Sequence, residues 1–250
     1  MPDPTSIPLL QVQAHLALAC GALSISGETL LKLLEVTGEL SPELSTDVGF
    51  TQLALTVPVA DSEHVLAALG APALASGTAI RVTEPDDGPA RIDVRLPQVP
   101  PSVRDQVRSL LTDLGDPKVT AAWIRLGGGA VLDLSLPEGA VALLCEAVGA
   151  SPAQAKWHQG LFDGLSPNRD VGVRLWIEDG LVAASWRYAD IHAETGARLV
   201  AQFGDPAEVA KLAALTEAGR SGEFIDLELI ASEGDIPAMH FHARPHSLPT

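Results

Sequence analysis

The sequence predicts an α+β fold in which helices alternate with antiparallel β-hairpins that join one large curved sheet. From about residue 78 onward, pairs of short segments rich in β-branched or aromatic residues flank turns rich in Gly and Asp. Longer segments with apolar residues at helical spacing separate these pairs. The chain has 250 residues, 46% of them hydrophobic, so it can bury a core. We expect a single domain over residues 1–250, with two pseudo-repeated halves, about 1–115 and 116–250, as the alternative.

Six helices are predicted along the chain. Apolar spacing predicts four of them, over residues 28–36, 61–69, 102–114 and 137–148. The other two have marked starts, because Ser151 and Asp205 each place a capping side chain before a proline and three positions before a Gln or Glu. All six helices are expected to pack on one face of the sheet.

The strands are predicted as one single strand and four hairpins. The single strand covers residues 50–57, and the hairpins cover 78–97, 118–136, 171–188 and 223–244. Two hairpins share a short sequence, since Trp123-Ile124 precedes one glycine turn and Trp176-Ile177 precedes another. Their separation of 53 residues (176 minus 123) fits one helix plus one hairpin, which favours an internal repeat.

Each predicted hairpin has one aliphatic and one polar face, because successive side chains of a strand point to opposite sides. The aliphatic face is expected to pack under the helices; it consists of Ile80, Val82, Ile92, Val94, Leu96, Leu132, Leu134, Leu136, Val173, Leu175, Ile177, Ile225, Leu227 and Leu229. The polar face consists of Arg81, Arg91, Asp93, Arg95, Trp123, Arg125, Asp133, Ser135, Arg174, Trp176, Ser185, Arg187, Asp226, Glu228, His240, His242 and Arg244.

Two interpretations of the polar face lead to two functions. In the preferred one, the face is open to water, its arginines pair with acids on neighbouring strands, and the chain is a non-enzymatic acidic protein that binds another protein. In the alternative, the sheet closes into a barrel, and the face lines a small-molecule or transferase site for an anionic or aromatic ligand. Its candidate ligand-binding residues are Arg81, Arg95, Trp123, Arg125, Arg174, Trp176 and Arg187.

A series of helices and hairpins with a polar inner face resembles the closed barrel of the aromatic prenyltransferases, in which helices surround a ten-strand β-barrel. The resemblance lies in the architecture and covers residues from about 50 to 244. It implies a barrel with a transferase site in its interior. No family motif accompanies it, so no catalytic residue follows from it.

The composition opposes binding to nucleic acid or to an anionic membrane. Thirty-two acidic side chains outnumber sixteen basic ones, and the formal net charge of −16 repels polyanions. Aromatic residues make up 4% of the chain, which leaves few stacking platforms for single-stranded nucleic acid. No apolar run approaches the ~20 residues that span a bilayer.

The two cysteines, Cys20 and Cys145, are too few for a disulfide framework and favour a reducing compartment, so we expect a cytoplasmic protein. The segment before Cys20 resembles the end of a bacterial lipoprotein signal. Such a signal begins with basic residues, whereas the first basic residue of this chain is Lys32. We therefore expect no lipid at Cys20.

His240, His242 and His246 form the histidine cluster of the sequence and are the candidates for zinc or copper ligands. His246 follows a proline in the C-terminal tail, where little would fix a third ligand. We therefore predict no metal site, and no sequence motif points to a cofactor. The sequence predicts no particular oligomeric state.

Overall fold

Seven helices and ten strands alternate along the part of the chain that the structure describes. The computed structural model describes residues 9–38, 42–47, 52–72, 76–136, 140–165, 171–192, 224–231 and 238–243. The helices are α1 (Leu9–Leu23), α2 (Glu28–Thr37), α3 (Ser62–Ala68), α4 (Pro101–Gln106), α5 (Arg108–Asp113), α6 (Ala140–Ala147) and α7 (Pro152–Leu165). The strands are β1 (Glu43–Asp47), β2 (Gln52–Pro58), β3 (Ala79–Pro85), β4 (Arg91–Leu96), β5 (Lys118–Arg125), β6 (Ala130–Leu136), β7 (Val171–Ile177), β8 (Leu181–His192), β9 (Phe224–Ile230) and β10 (Ala238–Ala243).

The ten strands form one closed barrel. Its strand order is β1-β10-β9-β8-β7-β6-β5-β4-β3-β2, and β2 returns to β1. Every neighbouring pair is antiparallel. Each strand from β2 to β9 lies beside the next strand in sequence, as short connections favour. The predicted α+β class with a curved antiparallel sheet is confirmed, and the sheet is closed.

Closure depends on β1, which was not predicted. β1 pairs with β2 on one side and with β10 on the other, so that Leu44 lies beside Leu55 and Ala243. Its sequence, Glu-Leu-Ser-Thr-Asp, holds one large apolar residue, one β-branched residue and no aromatic one, so its strand signal is weaker than that of the other strands. Without β1, the predicted sheet has free edges at β2 and β10. β1 pairs with both of these strands and so closes the sheet.

The predicted helix starts agree with the capping geometry where the structure describes it. Ser151 Oγ accepts a hydrogen bond from the Gln154 backbone N–H at 3.2 Å, and α7 begins at the next residue. Asp61 caps α3 in the same way. The helix predicted over 102–114 is two short helices, because Val107 has a φ of −114° and interrupts the turn. The start predicted at Asp205 lies outside the described residues.

The main core lies between the outer wall of the barrel and the helices. Leu16 of α1 and Leu30, Leu33 and Leu34 of α2 are almost fully buried in it. The barrel contributes the members of the predicted aliphatic face that are buried there: Ile80, Val82, Val94, Leu132, Leu134, Leu136, Val173, Leu175 and Ile177. None of the helices within the described ranges is long and apolar enough to cross a membrane.

The prediction that the polar face is open to water is wrong. Since the aliphatic face packs against the helices, the opposite face of a closed barrel points to its interior. The side chains of Arg81 and Arg174 are 11% and 12% exposed, whereas that of Arg108 on α5 is 72% exposed. We refer to this inward side of the strands as the luminal face.

Candidate functional site

On the luminal face, Asp93 holds two arginines from neighbouring strands. β4 places Asp93 directly beside Arg81 of β3 and Arg125 of β5. Arg81 Nε donates to Asp93 Oδ2 at 3.2 Å, and Arg125 Nε donates to Asp93 Oδ1 at 3.0 Å. Asp93 is buried, so these charge-assisted hydrogen bonds form away from bulk water. One carboxylate therefore balances two guanidinium groups.

Asp133 of β6 holds an arginine and a tryptophan. Arg174 Nε donates to Asp133 Oδ1 at 2.7 Å, and Trp123 Nε1 donates to Asp133 Oδ2 at 2.8 Å. Burial alone raises the pKa of Asp133. The charge of Arg174, the hydrogen bonds from Arg174 and Trp123, and the charge of Arg81 together outweigh burial and hold this pKa below its usual range. Asp133 is therefore ionised at neutral pH and fixes both partners in place.

Trp123 joins the two carboxylate clusters. The guanidinium carbon of Arg81 lies 4.8 Å from the centre of the Trp123 ring, while the indole N–H binds Asp133. We define the luminal network as Arg81, Asp93, Trp123, Arg125, Asp133 and Arg174. Within this network, two aspartates bind three arginines.

An aromatic pocket lies at the end of the barrel that carries the hairpin turns. Trp123, Val131 and Trp176 occupy adjacent positions on β5, β6 and β7 and pack together. A cavity of about 210 Å³ is lined by Val131 and Trp176, and also by Arg125 and Glu178. The combination of an indole face with nearby charged groups suits a flat apolar ligand that carries polar substituents.

Arg187 and Arg95 lie apart from the luminal network. Arg187 Nη1 of β8 lies 3.0 Å from Glu43 Oε1 of β1. Two strands, β9 and β10, separate β8 from β1 in the barrel wall, so this ion pair crosses the interior. Arg95 Nη2 donates to the Thr120 carbonyl at 3.2 Å. Arg95 lines a larger cavity at the opposite end from the hairpin turns. Of the predicted ligand-binding residues, Arg81, Trp123, Arg125 and Arg174 lie in the network, and Trp176 lies beside it.

The histidine candidates lie at the closure of the barrel. β10 places His240 between Asp47 and Glu228 in register, and His242 between Ser45 and Asp226. His246 and Arg244 lie outside the described residues. Among the residues that the structure does describe, no group of three or more His, Cys, Asp or Glu side chains is arranged to hold a metal ion. The expected absence of a metal and of a cofactor stays a prediction.

A second polar cluster, on the outer wall of the barrel, was not predicted. His158 of α7 is fully buried, with Nδ1 2.9 Å from the Tyr188 hydroxyl and its ring 4.2 Å from that of Trp186. Burial lowers the pKa of His158 to about 4, so the ring is neutral. Trp186 and Tyr188 stand two positions apart on β8, so the sequence could have indicated that both lie on the same face of the strand. It could not have indicated that His158 contacts them, because that contact depends on how α7 packs on the barrel.

The two cysteines are buried and free. Burial, together with the charge of Glu84, raises the pKa of the Cys20 thiol to about 11. Burial raises that of Cys145 to about 11 as well. Both thiols are therefore protonated at neutral pH, which disfavours nucleophilic attack by either side chain.

Comparison with known proteins finds likeness in structure and none in sequence. No protein-family model matches the chain, and no curated protein matches it. The 6-dimethylallyltryptophan synthase from Micromonospora olivasterospora, in complex with DMASPP and Trp, is 13% identical, with a TM-score of 0.66 over 96% of this chain and 98% of that chain. The 5-dimethylallyltryptophan synthase from Streptomyces coelicolor is 14% identical, with a TM-score of 0.63 over 96% and 97%. A further 6-dimethylallyl tryptophan synthase is 14% identical, with a TM-score of 0.68 over 96% and 98%.

This likeness corrects the function that the sequence favoured. The barrel encloses the arginine face, so this face is not offered to a protein partner. The similar structures are synthases, and the one from Micromonospora olivasterospora holds small molecules. The interpretation as a non-enzymatic protein with a protein partner is therefore wrong, and the alternative of a small-molecule site is the better supported one. The chain has the fold of these dimethylallyltryptophan synthases.

Proposed function

We propose that the chain is a transferase that moves an isoprenoid group from a diphosphate donor to an aromatic acceptor inside the barrel. The observation that carries the proposal is the luminal network, which together with Trp176 sets two indole rings beside three guanidinium groups on the inner face of a closed barrel. Supporting it, a solved structure with the same fold is a dimethylallyltryptophan synthase in complex with DMASPP and Trp.

The residues around the smaller cavity have distinct roles in such a transfer. The reaction breaks the bond between the isoprenoid carbon and a diphosphate oxygen, joins that carbon to the aromatic ring, and releases diphosphate and a ring proton. Positive charge develops on the isoprenoid carbon, and an aromatic face stabilises it. Trp176 presents such a face to the cavity of about 210 Å³. Glu178 is the carboxylate among the described residues that line this cavity, so we assign the acceptance of the proton to it.

The remaining luminal residues position these groups and shape the charge of the interior. Asp133 is already bound to Arg174 and Trp123, so we assign it to holding these side chains and not to proton transfer. We assign the guanidinium groups of the luminal network to the attraction of an anionic substrate. Arg187 and Glu43 add a second ion pair across the interior.

The transferase proposal is tested by incubating the protein with dimethylallyl diphosphate and tryptophan, and then with other aromatic compounds. We expect an acceptor that carries one dimethylallyl group, detected by mass spectrometry, and release of diphosphate. Trp176→Ala and Glu178→Gln are each expected to lower the rate by about tenfold or more. Glu146→Gln on the exposed side of α6 is the matched control and should leave the rate unchanged. Absence of product with every acceptor, although donor and acceptor both bind, would show a binding protein instead of a transferase.

We also propose that the protein works in the cytoplasm. Cys20 and Cys145 are free thiols in the buried core, which suits a reducing compartment. Fractionation of the native cells, followed by detection of the protein, tests this assignment.

A further inference from the structure

Trp123 stands in the interior of the barrel between the two cavities. It is 5% exposed and packs with Val131, and Ala121 and Trp176 pack against the same cluster. Ala121 lines the larger cavity of about 720 Å³, whereas Val131 and Trp176 line the smaller cavity of about 210 Å³. Trp123 itself is among the lining residues of neither cavity. Its indole therefore forms part of the wall that separates them.

Two contacts hold the indole of Trp123 in this wall. Its Nε1–H donates to Asp133 Oδ2 at 2.8 Å, and the guanidinium carbon of Arg81 lies 4.8 Å from the centre of its ring. Both partners are held in turn, since Arg81 binds Asp93 and Asp133 binds Arg174. A rotation of the indole would break the hydrogen bond and the cation–π contact together. Trp123 is therefore a fixed part of the interior.

The position of Trp123 has the chemistry of an indole site. A buried indole needs an acceptor for its N–H, and a cation over its face stabilises it. Asp133 supplies the acceptor and Arg81 supplies the cation, and the side chain of Trp123 uses both. An indole that enters the barrel as a ligand thus meets this position already filled.

The smaller cavity has room for one aromatic ring. A cavity of about 150 Å³ in a protein core can hold a benzene molecule, and the smaller cavity has a volume of about 210 Å³. Arg125 and Glu178 line it as well and can bind the hydroxyl group of a phenol. The fused second ring of an indole needs additional space, and the wall that Trp123 forms bounds the cavity on its inner side.

We propose that Trp123 restricts the aromatic acceptor to compounds with a single ring, and that its truncation creates an indole site between Asp133 and Arg81. This restriction separates the chain from the Micromonospora olivasterospora synthase, whose complex contains Trp. The inference rests on the proposed function for the statement that the bound compound is an acceptor. It rests on the geometry around Trp123 alone for the size of the ring.

NMR titration with p-cresol and with 3-methylindole tests the restriction. Both compounds carry one methyl group and one hydrogen-bond donor, and they differ in the fused second ring. The parent protein should bind p-cresol about tenfold or more tightly than 3-methylindole. Trp123→Ala should reverse this order, because it opens the space of the indole and leaves Asp133 and Arg81 for the indole of the ligand.

Two further variants make the test specific to the partition. Trp157→Ala is the matched control; it removes an indole from α7, which packs outside the barrel, and it should keep the order of the parent. Trp123→Phe keeps an aromatic ring in the wall and should also keep the order of the parent. The urea midpoint of Trp123→Ala verifies that it folds, and the order of affinities in the parent and in Trp123→Phe tests the restriction without it.

The outcomes also separate this inference from the transferase function. A parent protein that binds p-cresol no more tightly than 3-methylindole, or a folded Trp123→Ala variant that keeps the order of the parent, would overturn the restriction. If the order reverses as expected while no acceptor is prenylated, the proposed transferase function fails and the role of Trp123 in selecting the ring stands.

Discussion

Asp93 and Asp133 decide how the interior of the barrel is charged. Strand alternation placed both on the same face as the arginines, and it predicted cross-strand ion pairs between them. These pairs are present, with Asp93 binding Arg81 and Arg125, and Asp133 binding Arg174. The alternation of side chains along a strand assigns each residue to a face of the sheet, but it does not show whether that face meets water or the far wall of a barrel. The ion pairs between aspartates and arginines could therefore be predicted from the sequence, and their burial could not.

A single residue, His158, also makes the free energy of unfolding depend on pH. Its pKa is about 4 in the folded protein, lowered by burial, against 6.5 for the free side chain. Between these values the unfolded chain binds more protons than the folded one, so protonation favours unfolding. The contribution of His158 to stability is thus complete above pH 6.5 and is lost as the pH falls toward 4, at up to roughly 1 kcal/mol per pH unit.

Urea unfolding of the parent and of His158→Gln at several pH values from 7 to 4 measures this contribution. The parent should lose stability more steeply than the variant across this window, and the difference between them isolates His158 from the carboxylates that titrate nearby. His64→Gln, at an exposed position of α3, should follow the parent. Parallel curves for the parent and His158→Gln would contradict the burial of a neutral ring beside Tyr188.

At the scale of the element, most helices and strands were predictable because each carries its own signal. Apolar spacing marked α3, the capping residue Ser151 marked α7, and β-branched pairs around turns marked the hairpins. β1 was not predicted, because a short polar strand has little local signal and is held in the sheet by its two neighbours. The break between α4 and α5 was not predicted, because the apolar spacing of the sequence continues through Val107.

The start of β3 shows how closely one element packs on the next. The backbone N–H of Gly77 donates to Ser62 Oγ at 2.6 Å, next to the start of α3. A Cβ at this position would lie 2.3 Å from Val94 Cγ1 and 2.9 Å from the backbone oxygen of Arg95. Since a backbone atom cannot step aside as a flexible side chain does, Gly77→Ala should cost about 1 to 3 kcal/mol of unfolding free energy.

Gly21→Ala is the control for this prediction. Gly21 lies in α1 with nothing within 4 Å of an added Cβ, so alanine should leave stability unchanged or raise it by up to about 1 kcal/mol. Urea midpoints of both variants and of the parent decide the matter. A Gly77→Ala variant as stable as the parent would show that β3 does not enter the barrel against β4 as the structure has it.

At the scale of the whole molecule, the sequence offered the closed barrel only as the alternative interpretation of the polar face and as an architectural resemblance. Closure joins Leu44 to Ala243, which are 199 positions apart (243 − 44), and no local pattern records a contact of that range. From β3 to β7, where the structure describes the side chains, the aliphatic and polar faces agree with the prediction, but the function inferred from an open sheet was wrong. The solved structures share the fold at 13% and 14% identity, so the architecture persists where sequence comparison finds nothing. The site must therefore be argued from the luminal residues themselves.

The central claim is that the arginine-bearing face is the interior of a closed barrel, and the urea unfolding of Arg174→Ala tests it most directly. In the barrel this variant removes the arginine that binds the partly buried Asp133, so it should lose about 1 to 3 kcal/mol of unfolding free energy. Arg108→Ala, which removes the same charge from an exposed helix, should lose no more than about 0.5 kcal/mol. An Arg174→Ala variant within about 0.5 kcal/mol of the parent would mean that the face is solvated after all, and would contradict the enclosed site.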